Sequence, residues 1–124
     1  MSMGTIRVGN KHAGSKLKPA ADEVAIDVDR KNPVLGNPHY LKNPKDRQER
    51  ALCIAQYDVD YQRDWEQNGP MRKATEMIAE RVKNGEKIYM GCWCKPEACH
   101  ADLIEARVRQ ILGIELPKQA SLDL

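Results

Sequence analysis

The sequence predicts one small α/β domain, a short mixed or parallel sheet flanked by helices in a Rossmann-like arrangement, and three observations predict it. An apolar run, Lys87–Cys94 (KIYMGCWC), lies between Gly85 and Pro96 and suits a buried central strand. Apolar residues recur at helical spacing in two stretches before that run and one after it. Short β-branched runs stand near the N-terminus. At 124 residues the chain has the size of a single domain, read as residues 1–124 with 1–22 partly loop and 117–124 a flexible tail.

Taken in order, Thr5–Val8 (TIRV) and Val24–Val28 (VAIDV) read as strands, separated by a Lys-, Gly- and Pro-containing connection. Asp29–Pro44 holds three Asn-Pro pairs and a glycine, so it reads as an ordered loop: each proline lacks an amide donor and biases its predecessor away from helix. The first helix spans Lys45 to about Glu66, and its Tyr57, Tyr61 and Trp65, four residues apart, form a stripe toward the core or the sheet. Asn68-Gly69-Pro70 breaks that helix. Ala74, Met77, Ile78, Arg81 and Val82 mark a second one that stops at Asn84-Gly85. After Lys87–Cys94, a third helix over Ala101–Leu112 carries Leu103, Ile104, Val108, Ile111 and Leu112 on one side and closes at Gly113.

Composition narrows the functional classes. Hydrophobic residues make up 41% and charged residues 31%, the balance of a folding chain. Twenty basic and 18 acidic side chains leave a net charge of +2, too even for the broad basic footprint of a non-specific nucleic-acid binder, so any nucleic-acid contact is local. No run approaches a membrane span and the first residues lack the apolar core of a signal peptide, so the cytoplasm is the expected compartment and no membrane partner is expected. Without an export signal, four cysteines point to thiols, a metal site or a reactive sulfur rather than a disulfide framework. There is no Phe; four Tyr and two Trp carry the aromatic content, and some are expected to line a wet cleft.

Chemistry concentrates in Gly91–Asp102 (GCWCKPEACHAD), where a strand runs into a helix. In open α/β sheets ligands collect at the carboxyl ends of strands, where helix amides point outward with partial positive charge. Strand alternation puts Cys92 and Cys94 on one face, and such an i, i+2 pair closes poorly into a disulfide. His100 and Asp102 are expected at the rim of the helix terminus. Three readings compete. As a metal site, Cys92, Cys94, Cys99 and His100 supply the three sulfurs and one imidazole of a tetrahedral zinc site, although Cys-x-Cys is not the usual knuckle and adjacent Cys99 and His100 diverge by about 100° on a helix. As a reactive site, Cys94 or Cys99 near a helix start gains thiolate character, with His100 as proton carrier and Asp102 orienting or charging the site. As packing, small cysteines fill space while His100 caps the helix and Pro96 fixes the turn.

The stretch GCWC-x-P-x-x-CH followed by Ala-Asp-Leu resembles the bacteriophage-enriched domain-of-unknown-function family 4326, whose members carry Gly-Cys-x-Cys-x-Pro-x-x-Cys-His before their last helix. Arg30–Pro38 (RKNPVLGNP) is similar to that family's Arg-containing loop ending in Gly-Asn-Pro, with Asn-Pro-Val-Leu-Gly-Asn-Pro in place of the compact Arg-Gly-Ser/Trp-Gly-Asn-Pro form. The helix start is more loosely similar to domain-of-unknown-function family 488. The resemblance implies a fold and a site position but no reaction. Beside the cluster, Arg30 is a candidate anion ligand, Asn37 offers a donor pair and an acceptor, and Tyr40 a stacking face for a base; the bland reading is a rigid turn for Asn37 and Tyr40, and a solvated or ion-paired face for Arg30.

The expected function is therefore a small phage-type accessory protein that binds a nucleotide, nucleoside derivative or nucleic-acid end at the Cys/His turn and acts on it if it is an enzyme. The rival class is a non-enzymatic interaction protein that engages a host protein, with zinc as a structural cofactor at the same cluster.

Overall fold

The computed structural model describes residues 2–11, 18–29, 31–39, 43, 46–92 and 99–114. Strands β1 (Thr5–Asn10), β2 (Val24–Asp27) and β3 (Lys87–Cys92) and helices α1 (Arg47–Glu66), α2 (Pro70–Lys83) and α3 (Ala101–Leu112) follow one another as β1-β2-α1-α2-β3-α3. The sheet has the order β1-β3-β2 and both pairings are parallel, so the apolar run does form the central strand. Its register sets Ile6 beside Ile88, Asn10 beside Cys92 and Asp27 beside Gly91.

Alternation along the strands sorts the two faces. Ile6, Val8, Ile88, Met90 and Cys92 join one core with Tyr57 and Tyr61 of α1, Ile78, Ala79 and Val82 of α2, and Ile104 and Val108 of α3. Each Val, Ile or Met buried there contributes about 1.5–3 kcal/mol of transfer free energy. Tyr89 projects from the other face, where the guanidinium of Arg7 lies 4.9 Å from its ring centroid and pairs with Glu23 ahead of β2. Tyr57, Tyr61 and Tyr89 are buried rather than lining a wet cleft, while Tyr40 and Trp93 lie outside the described residues.

Local chemistry explains the helix ends. Asp46 accepts from the amides of Gln48 and Glu49 at 2.9 and 3.1 Å, so α1 begins one residue later. Pro70 occupies the first turn of α2 and Gly69 brings no capping side chain. Asp64 of α1 takes that role, accepting from Met71 N at 3.1 Å and Arg72 N at 2.8 Å, and a Cβ at Gly69 would stand 2.4 Å from its Oδ2. The α1–α2 corner thus needs both residues. Helix α3 ends at Gly113 in the left-handed conformation, with Ile114 N bonded to Arg109 O.

Candidate functional site

The three parallel strands end at one edge of the sheet. Just past β1, Lys11 N donates to Cys92 O at 2.9 Å; just past β2, Val28 N donates to Gly91 O at 3.1 Å. The chain on both sides is therefore tied to the last two residues of β3. Gly91 has a steric role, since a Cβ there would stand 2.8 Å from Lys11 Cγ. The bare backbone lets the lysine stem cross β3 toward β2, where Nζ meets Asp27 Oδ1 at 3.0 Å and Asp29 Oδ2 at 2.8 Å. The hydrogen bond to Asp29 raises the Lys11 ammonium above its ordinary pKa against the opposing effect of burial. One cation between two carboxylates leaves these three side chains with a net charge of −1.

Side-chain to backbone bonds shape the segment after β2. Asp29 Oδ1 accepts from Lys31 N, Asn32 Oδ1 accepts from Val34 N and Leu35 N, and Asn32 Nδ2 returns to Asp27 O. Gly36 completes the turn at a point where a Cβ would lie 2.4 Å from Asp29 O. Tyr57 of α1 then holds Leu35 through a bond from its hydroxyl to Leu35 O at 2.8 Å.

The start of α3 closes the edge. His100 is 6% exposed, with its ring 4.8 Å from that of Tyr57 and its Nε2 2.6 Å from Val28 O. A carbonyl only accepts, so Nε2 carries a proton and, in the neutral ring, Nδ1 is the acceptor. Nδ1 faces Cys99 Sγ at 3.6 Å. The same sulfur takes the Ala101 amide at 3.5 Å and lies 3.0 Å from Cys92 Sγ, and the Cys92 thiol points to Gly9 O at 3.6 Å. Asp102 turns back on its own helix start, accepting from Cys99 N at 3.1 Å.

Two expectations change here. Cys99 and His100 do not diverge, because Cys99 precedes the helix and its backbone is free of the helical 100° step. His100 is not at a rim but beneath one, committed to the residue just past β2 by a carbonyl and to α1 by a ring. Asp102 is half-buried and spends an oxygen on an amide that an anion would otherwise find.

Of the residues singled out in the sequence, the structure brings together Cys92, Cys99, His100 and Asp102. Asn37 belongs to the α1 side: its Nδ2 reaches Cys53 O at 3.4 Å and its Oδ1 accepts from His39 N. Val28 and Leu35, rather than Asn37, link the loop to His100. Cys94, Arg30 and Tyr40 lie outside the described residues. Among the described residues no group of three or more His, Cys, Asp or Glu is placed to hold a metal ion. Sequence reasoning passed over Lys11, Asp27 and Asp29. Their signal was position, charged residues at the carboxyl ends of two strands.

Fold and site together define a small α/β domain with a polar cluster at the carboxyl edge of a parallel sheet. The family described as "Domain of unknown function (DUF4326)" matches residues 10–110, from the end of β1 into α3, and the chain belongs to that family. That span holds every residue of the cluster. No curated protein and no solved structure matches the chain.

Proposed function

We propose that this protein is a phage-type accessory domain that binds a nucleoside or nucleotide, free or at a nucleic-acid end, at the carboxyl edge of its sheet. The observation that carries the reading is the convergence of Lys11, Asp27 and Asp29 with the end of β3 and the start of α3, joined by bonds among Lys11, Gly91, Val28, Cys92 and His100. Carboxylates in this position accept from sugar hydroxyls, and the edge of a parallel sheet is where such ligands lie. Asp27 is the half-exposed member of the cluster and the one a ligand meets first. Because Asp102 already occupies an amide at the start of α3, the site favours the hydroxyl-bearing part of the ligand over its phosphate.

The test is a thermal-shift and calorimetric screen of ribonucleosides, deoxyribonucleosides and their 5′-phosphates against the wild-type protein and Asp27→Asn. Stabilisation by ribonucleosides that is lost in the variant supports the reading. A protein that responds to none of them is not this binder.

One observation favours a second reading. Cys99 Sγ lies 3.0 Å from Cys92 Sγ and 3.6 Å from His100 Nδ1, which keeps near one another three of the four residues that a structural zinc would take, with Cys94 as the fourth, in a non-enzymatic protein that engages a host protein in the cytoplasm. Metal content of the purified protein decides it, with one equivalent of zinc expected on this reading and none on the first.

A further inference from the structure

We infer that Cys92 and Cys99 form a reversible dithiol–disulfide pair, an oxidation site buried under the carboxyl edge. The inference rests on neither the ligand nor the metal reading. The two sulfurs lie 3.0 Å apart although the residues stand seven positions apart in sequence, and they are 1% and 2% exposed. A disulfide is about 2.05 Å long, so roughly 1 Å of approach completes the bond. That movement falls on Cys99, a non-helical residue ahead of α3, whereas Cys92 is held in the ladder of β3. The Ala101 amide and His100 Nδ1 lie 3.5 and 3.6 Å from the Cys99 sulfur, and Cys99 meets the oxidant first because it is the one that moves.

Burial selects the oxidant. A bulky disulfide such as oxidised glutathione does not reach sulfurs this covered, but hydrogen peroxide is small and neutral. The Cys99 sulfur attacks one peroxide oxygen and the O–O bond breaks. Hydroxide leaves, taking the thiol proton to become water, and Cys99 is left as the sulfenic acid, two electrons poorer. The Cys92 sulfur then attacks the Cys99 sulfur, the S–O bond breaks, and the departing hydroxide takes the Cys92 proton as a second water. The product bond ties the end of β3 to the start of α3. A thiol reductant such as dithiothreitol supplies the two electrons that reopen it.

The experiment exposes the full chain, with a chelator present to keep metal off the thiols, to a small excess of hydrogen peroxide. Remaining thiols are then alkylated in denaturant and the peptides mapped by mass spectrometry. The expected result is a Cys92–Cys99 bridge with loss of two thiols per chain, reversed by dithiothreitol and retained in Cys94→Ser. Cys99→Ser is expected to form no bridge. A bridge through Cys94, oxidation to sulfinic or sulfonic acid without a bridge, or no thiol loss under conditions that oxidise the urea-unfolded chain would each overturn the proposal. Should Cys99→Ser fail to fold, the wild-type and Cys94→Ser maps still decide. Nucleoside binding is measured on reduced protein, so its failure and a failure here are read separately.

Discussion

His100 Nε2 donates to the carbonyl oxygen of Val28 at 2.6 Å, joining the start of the last helix to the residue just past β2 across 72 positions of sequence. Val28 is fully buried, so no water replaces that donor.

Replacing His100 by Ala should therefore destabilise the domain by about 2–4 kcal/mol, from the orphaned Val28 carbonyl and the void left beside the Tyr57 ring. Urea unfolding of chelator-treated protein measures it. His100→Gln, which keeps an amide donor, should recover part of the loss. A loss below 1 kcal/mol would mean the bond is not structural. Because the same loss is expected without metal, destabilisation of this variant is not by itself a sign of zinc.

Lys11→Met removes a cation that pairs with Asp29, a carboxylate only 9% exposed. Breaking a buried pair from one side costs about 3–5 kcal/mol, toward the lower end here because Lys11 is partly solvated. The double variant Lys11→Met with Asp29→Asn should regain most of the stability in chemical denaturation. If the double variant is as weak as the single, the loss comes from the lysine stem over Gly91 and not from its charge.

Glu23 receives Arg7 Nε and Nη2 at 2.7 Å each, a two-pronged pair. The Arg7 hydrogen bonds hold the Glu23 carboxyl below its ordinary pKa despite the burial that opposes them. A depressed folded-state pKa means that the unfolded chain binds the proton more readily. The stabilisation is thus present above the unfolded carboxylate range and is lost as pH falls through the folded value. The melting temperatures of wild type and Glu23→Gln should converge on going from about pH 6 to about pH 3. A gap that stays constant would show that charge is not the source.

Tyr61 gives the opposite dependence. Thr75 Oγ1 donates to Met71 O at 2.8 Å, so the Tyr61 hydroxyl is the donor in its own 2.6 Å bond to Thr75. Burial pushes the phenol up to about 12. Here the folded value is raised, so stability is complete below the unfolded tyrosine value near about 10 and declines as pH rises toward the folded one. Tyr61→Phe should cost about 1 kcal/mol at neutral pH and progressively less at about pH 11. Denaturant unfolding at the two values checks it. A deficit that grows with pH contradicts the assignment.

Much of the fold was legible because its determinants are local. The Asn68-Gly69-Pro70 break, the Asn84-Gly85 stop and the Gly113 end all fall at observed helix boundaries, and α3 spans Ala101–Leu112 as its periodicity indicates. Some boundaries moved: pairing with β3 carried β1 from Val8 to Asn10, β2 stops at Asp27 rather than Val28, and the Asp46 cap starts α1 at Arg47 rather than Lys45. The site was half legible. Its motif end, Cys92 with Cys99, His100 and Asp102, stood out by composition, whereas the charged end at Lys11, Asp27 and Asp29 belongs to no short pattern.

By itself the sequence determined which segments are strands and helices, that the Lys87 strand is the buried one, and that cysteine and histidine gather at its carboxyl end. Only the tertiary structure decided who meets there. The order β1-β3-β2 brings Lys11 across Gly91 to Asp29, and packing of α3 brings His100 to Val28 and Cys99 to Cys92. Residue spacing reports neighbours within one element, at periods of 2 and 3.6. Contacts between elements depend on strand order and on which face each helix buries, and these are properties of the whole packed core.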